Sequence, residues 1–122
     1  MKYMLLLYAA PDQEPAFGTP EFDKMMEDFA LTSDTFEKDG VLVGGEGLQE
    51  VETATSLRIK SGKVETMDGP FAETKEQLAG FYMLEAESQE EVLRLAEKIP
   101  PARYGSVEIR PVRELLVEGN GL

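Results

Sequence analysis

Residues 2–8 (KYMLLLY) are apolar almost without interruption, the pattern of a strand buried on both faces in the middle of a sheet. Residues 79–86 (AGFYMLEA) repeat it. Between them, a loop at 11–18 leads to Thr19-Pro20-Glu21. Thr there is a helix N-cap, and Pro is at the first helical position, where its missing N–H costs nothing. Phe22, Met25, Met26, Phe29 and Phe36 follow at spacings of three, four and seven and form one stripe, read as core packing in preference to a ligand box. Asp39-Gly40 ends the helix. A strand at 41–43 runs into Gly44-Gly45-Glu46-Gly47, where three glycines signal a bulge or a close approach of backbone. The alternating pairs Leu57/Ile59 and Val64/Thr66, joined across Ser61-Gly62, predict a hairpin. Ser88 and Glu91 form a capping box in which Glu91 reaches back, and the helix it opens turns Val92, Leu93, Leu95, Ala96 and Ile99 inward until Pro100-Pro101. Residues 107–110 alternate as a last strand, placed at an edge by Pro111, and the chain is expected to fray from Glu118.

The order is β-α-β, an inserted hairpin, then β-α-β. Two split βαβ units predict a ferredoxin-like α+β sheet, with both helices on one face and the two apolar runs as central strands. Two helices cover one face only. The other face is expected to expose several of Tyr3, Leu5, Leu7, Phe81 and Met83, a larger patch than monomers usually carry. Covering about 600 Å² of it would favour association by roughly 15 kcal/mol before docking costs. A homodimer paired through the sheet face is the closed solution. The competing expectation is a monomer whose hairpin and loops fold over the sheet.

Composition narrows the chemistry. The length of 122 residues fits a single domain, 1–122. No apolar run is long enough to span a bilayer and no signal peptide opens the chain, so a cytoplasmic protein is expected. A net charge of −12 repels phosphate backbones and anionic membranes, which argues against nucleic-acid and membrane partners. With no histidine and no cysteine, imidazole bases, Ser-His-Asp triads, thiolate chemistry and imidazole-ligated zinc are all excluded. Proton transfer would fall to a carboxylate of raised pKa, or to Tyr or Lys. No cofactor and no metal are expected: Glu73 and Glu76 are only a pair, and the glycine run lacks the lysine and helix of a nucleotide loop.

One segment is unusual. Residues 67–76 (MDGPFAETKE) open on Asp68-Gly69-Pro70, a strong turn signal, with Phe71 expected to tuck beneath it. Together with VLVGGE at 41–46, TAT at 53–55, DGPFAETKEQ at 68–77, residues 80–84 and PARYGSVEIRPV at 101–112, it makes the chain resemble the DGPF-domain branch of the YCII-related family over nearly its whole length. The resemblance implies a dimeric α+β barrel of bacterial origin, often encoded beside or fused to extracytoplasmic-function sigma factors, and no single activity. It also implies a His-Asp pair in a cleft between the first helix and the sheet. The histidine position falls on Phe29, which neither donates nor accepts a proton, while Asp68 keeps the aspartate.

The candidate pocket residues are Tyr8, Phe29, Gly45, Glu46, Asp68, Pro70, Phe71 and Arg103, with Asp68 and Glu46 as candidate catalytic carboxylates. Asp68 has two readings, a backbone-capping turn residue or an acid–base group. Arg103-Tyr104 has two as well, an anchor for an anionic ligand through the arginine fork, or Arg103 as a partner for a nearby carboxylate. The first functional expectation is a homodimeric small-molecule-binding or accessory domain without histidine-based catalysis. The second is an enzyme (isomerase, lyase or hydrolase of a small organic acid) using a carboxylate. The third is an interaction module in sigma-factor regulation, which the resemblance alone suggests.

Overall fold

The structure, a computed structural model, describes residues 1–114. The elements run β1 (Lys2–Ala9), α1 (Pro20–Lys38), β2 (Leu42–Gly47), β3 (Thr55–Lys60), β4 (Lys63–Asp68), β5 (Gln77–Glu85), α2 (Gln89–Ala96) and β6 (Ser106–Pro111), with single 3-10 turns at Val51–Thr53 and Pro100–Ala102. Four strands form an antiparallel sheet in the order β2-β5-β1-β6, so the two apolar strands are central and β6 lies at an edge, as their patterns predict. Strands β3 and β4 form a separate two-stranded sheet. The fraying expected from Glu118 lies outside the described residues.

Antiparallel register decides which side chains share a face. Tyr3 pairs with Leu84, Leu5 with Tyr82 and Leu7 with Gly80, while Met4 pairs with Met83 and Leu6 with Phe81. The first set points at the helices. Tyr3, Leu5, Leu7, Tyr82 and Leu84 are buried there with Phe36 of α1 and with Val92, Leu95, Ala96 and Ile99 at α2. Phe36 meets Tyr82 edge to face at 5.4 Å between ring centroids. Tyr3, Leu5 and Leu7 therefore belong to the core and not to the uncovered face. The side chains on that open face are Met4, Leu6, Tyr8, Phe81 and Met83, all half-buried. The apolar patch exists as expected, but it is built from the even-numbered residues of β1.

Two stripe assignments also shift. Met26 and Leu93 are 51% and 49% exposed, so neither is part of the buried core. Thr19 does cap α1, accepting from the Phe22 N–H, and Pro20 takes the first turn. Ser88 caps α2 by accepting from the Glu91 N–H, but the Glu91 carboxylate reaches one residue further back, to the Glu87 N–H at 3.1 Å.

The hairpin turns through Ser61 and Gly62, both at positive φ (50° and 77°), which matches the right-handed twist of its strands. It does not lie over the sheet: all its strand residues but Ser56 are exposed, and Leu57, Ile59 and Val64 are each more than 60% exposed. Phe71 does not tuck under the turn either. It is 64% exposed, with the Arg58 guanidinium 4.1 Å from its ring centroid. No helix among the described residues is long and apolar enough to cross a membrane.

Candidate functional site

At one end of the molecule α1 and the sheet are held together by Phe36, Tyr82 and the α2 side chains. Toward the N-terminus of α1 they part. The sheet there ends in the glycine run of β2 and in Gly80 of β5, which carry no side chains to fill the space. Gly45 allows the strands to close: a Cβ on it would come within 2.8 Å of the Phe81 carbonyl oxygen. The bulge expected at these glycines is present as a register shift between Leu42 and Gly44.

The gap is a cleft of about 780 Å³. Phe22, Met25 and Phe29 of α1 form its roof, Leu7, Gly45 and Tyr82 its floor, and the 11–18 loop and residues 48–52 its sides. Phe17 of the loop packs edge to face on Phe22 at 5.2 Å. The stripe on α1 thus splits in function: Phe36 is core, whereas Phe22, Met25 and Phe29 are half-buried because they face the cleft.

Polar groups line this space as well. On its inner side the Ser33 hydroxyl and the Tyr82 phenol share a hydrogen bond of 2.6 Å. Burial raises the Tyr82 pKa, with the Ser33 bond opposing it, so both hydroxyls are neutral at physiological pH. At the mouth, burial lifts the Glu14 carboxyl above its ordinary 4.5, and the charge of Glu50 adds to the rise. Nearby, the Tyr104 hydroxyl donates to the Met25 sulfur at 3.0 Å. Burial and the Glu14 charge push that phenol up to about 12, with Arg103 opposing, so Tyr104 is a neutral donor and not a base.

Of the residues singled out in the sequence, Phe29, Gly45 and Glu46 line the cleft, and Glu46 is exposed at its rim. Tyr8 lies on the open sheet face. Asp68 ends β4 opposite Thr55, exposed, Phe71 lies against Arg58 of β3, and neither they nor Pro70 line the cleft. Within one chain, Asp68 and Phe29 do not share a pocket. Arg103 takes the second of its two readings: its guanidinium is 3.6 Å from Asp28, which also holds Lys24 at 2.5 Å. Sequence reasoning missed Glu14 and Ser33, and it named Tyr104 only beside Arg103 as an anchor for an anion. Ser33 did leave a trace, as a hydroxyl four residues after Phe29 on an otherwise apolar stripe. Glu14 left none, because loop burial has no period.

The profile of the YCII-related domain matches residues 1–116. An uncharacterized protein of Rhizobium meliloti (strain 1021) is 35% identical over 114 residues, 92% of each chain. Among solved structures, 5-chloro-2-hydroxyhydroquinone dehydrochlorinase from Burkholderia phenoliruptrix AC1100, in complex with 2,5-dihydroxybenzoquinone, is similar over 93% of this chain and 94% of that one. Its TM-score is 0.49 and its identity 14%. A likeness that distant fixes no chemistry here.

Proposed function

The chain belongs to the family of YCII-related domains, and from that premise we propose that it binds a small molecule in the cleft between α1 and the sheet, as a homodimer closed over the open sheet face. The observation that carries the binding reading is the cleft itself. Its volume of about 780 Å³ is in the range of ligand sites, its walls are apolar and aromatic, and a few polar groups converge on it. The dimer rests on Met4, Leu6, Tyr8, Phe81 and Met83, an apolar patch that neither helix covers and over which the hairpin does not fold.

Catalysis is the second reading. It calls for a carboxylate partly withdrawn from water beside the cleft. Asp68 and Glu46 are both exposed, so the group with that environment is Glu14.

Thermal melting against a broad library of metabolites tests the binding reading. A ligand that binds the folded chain raises the midpoint saturably. Phe22→Asn, which removes the ring and puts a neutral amide into the cleft wall, is expected to weaken that rise sharply while the fold persists. A flat response across the library, or hits indifferent to Phe22→Asn, would remove the proposal.

A further inference from the structure

The cleft has a sign. Every charged side chain lining it is a carboxylate: Glu14, Glu46, Glu50 and Glu52. Among the described residues no lysine or arginine lines it, and Lys24 and Arg103, at the Tyr104 corner, both pair with Asp28. The chain as a whole carries −12, so its long-range field adds to the local one. The walls supply aromatic rings from Phe17, Phe22, Phe29 and Tyr82, whose faces attract cations.

Resting on the binding reading above, we infer that the ligand is a hydrophobic organic cation, an amine or quaternary ammonium with an aromatic or aliphatic body, whose charge sits at the Glu14–Glu50 mouth and whose body lies against Phe22 and Phe29. Glu14 makes the choice sharp. Its carboxyl is half-buried next to a second carboxylate, a like-charge arrangement that an anionic guest would worsen and a cation relieves. Glu46, Glu50 and Glu52 are exposed and screened by salt, whereas Glu14 is screened less. Inside, the neutral Ser33 and Tyr82 hydroxyls offer no counter-charge for an acid. A small organic acid, the substrate class expected for an enzyme from the sequence, is therefore the poorest electrostatic match.

Three probes of one shape separate the inference from the reading beneath it: 4-phenylbutylamine, 4-phenylbutan-1-ol and 4-phenylbutyrate, titrated calorimetrically into the full chain. The amine is expected to bind about tenfold or more tighter than the alcohol, with the butyrate weakest. Glu14→Gln should cut the amine's advantage by about 3- to 10-fold and leave the alcohol unchanged. Amine binding should also release protons near Glu14's raised pKa, seen as a heat that varies with the buffer. Equal binding of all three would overturn the cation and keep the cleft. An amine preference that survives Glu14→Gln and Glu50→Gln unaltered would also overturn it. Binding of none would remove both.

Discussion

Glu14 is the residue whose surroundings depart most from what its position in a loop suggests. Folding raises its pKa above 4.5, through burial first and the charge of Glu50 second. A carboxyl raised by folding holds its proton more tightly in the native state. Its protonation therefore favours the fold at low pH, and that stability is lost as pH rises from about 4.5 through the folded value. At pH 7 the ionised group is a strain on the native chain. Glu14→Gln is expected to raise the melting midpoint at pH 7 by about 1–3 °C and to flatten its dependence on pH just above 4.5. A variant melting below the parent at pH 7 would deny the burial. Tyr104 gives a second reading of the same corner. Its phenol should ionise near pH 12 in an absorbance titration, and Tyr104→Phe should remove that step. If the step remains, it belongs to another tyrosine and the burial assigned to Tyr104 is wrong.

At the scale of elements, the glycines of β2 separate close packing from mere openness. A methyl on Gly45 would press the Phe81 carbonyl oxygen at 2.8 Å, while one on Gly44 would meet nothing within 4 Å. Gly45→Ala should cost about 1–3 kcal/mol in denaturant unfolding and Gly44→Ala less than about 0.5 kcal/mol. Equal costs would contradict the register. What the sequence disclosed follows the same division. The central strands, the edge strand, the caps at Thr19 and Ser88, the glycine bulge and the Ser61-Gly62 hairpin are all carried by local pattern, and all are present. The inward face of β1 was misread because a strand apolar at every position has no alternation to orient it. Only its register with β5 assigns Leu5 to the helices and Leu6 to the open side. The cleft was half legible. Phe29, Gly45 and Glu46 were found because helix stripe and glycine run point at one another. Asp68 and Phe71 were grouped with them because a ten-residue motif says nothing about which way a hairpin projects.

For the whole molecule, the uncovered sheet face and the cleft are separate surfaces with separate tests. The proposed dimer pairs Met4, Leu6, Tyr8, Phe81 and Met83 with a second copy, and sedimentation should then give twice the chain mass of 13.5 kDa at micromolar concentration. Leu6→Glu should return it to a single chain with its helices intact, since Leu6 faces away from them. A monomeric parent would remove the sheet-face pairing and leave the cleft untouched. The cleft is tested most directly by following backbone amide resonances while 4-phenylbutylamine is added. The expected result is saturable shifts at Phe29, Ser33, Gly45, Gly47 and Gly80, with residues 55–68 of the hairpin unmoved. Shifts concentrated at Met4, Leu6 and Met83, or none at all, would contradict a ligand site beneath α1.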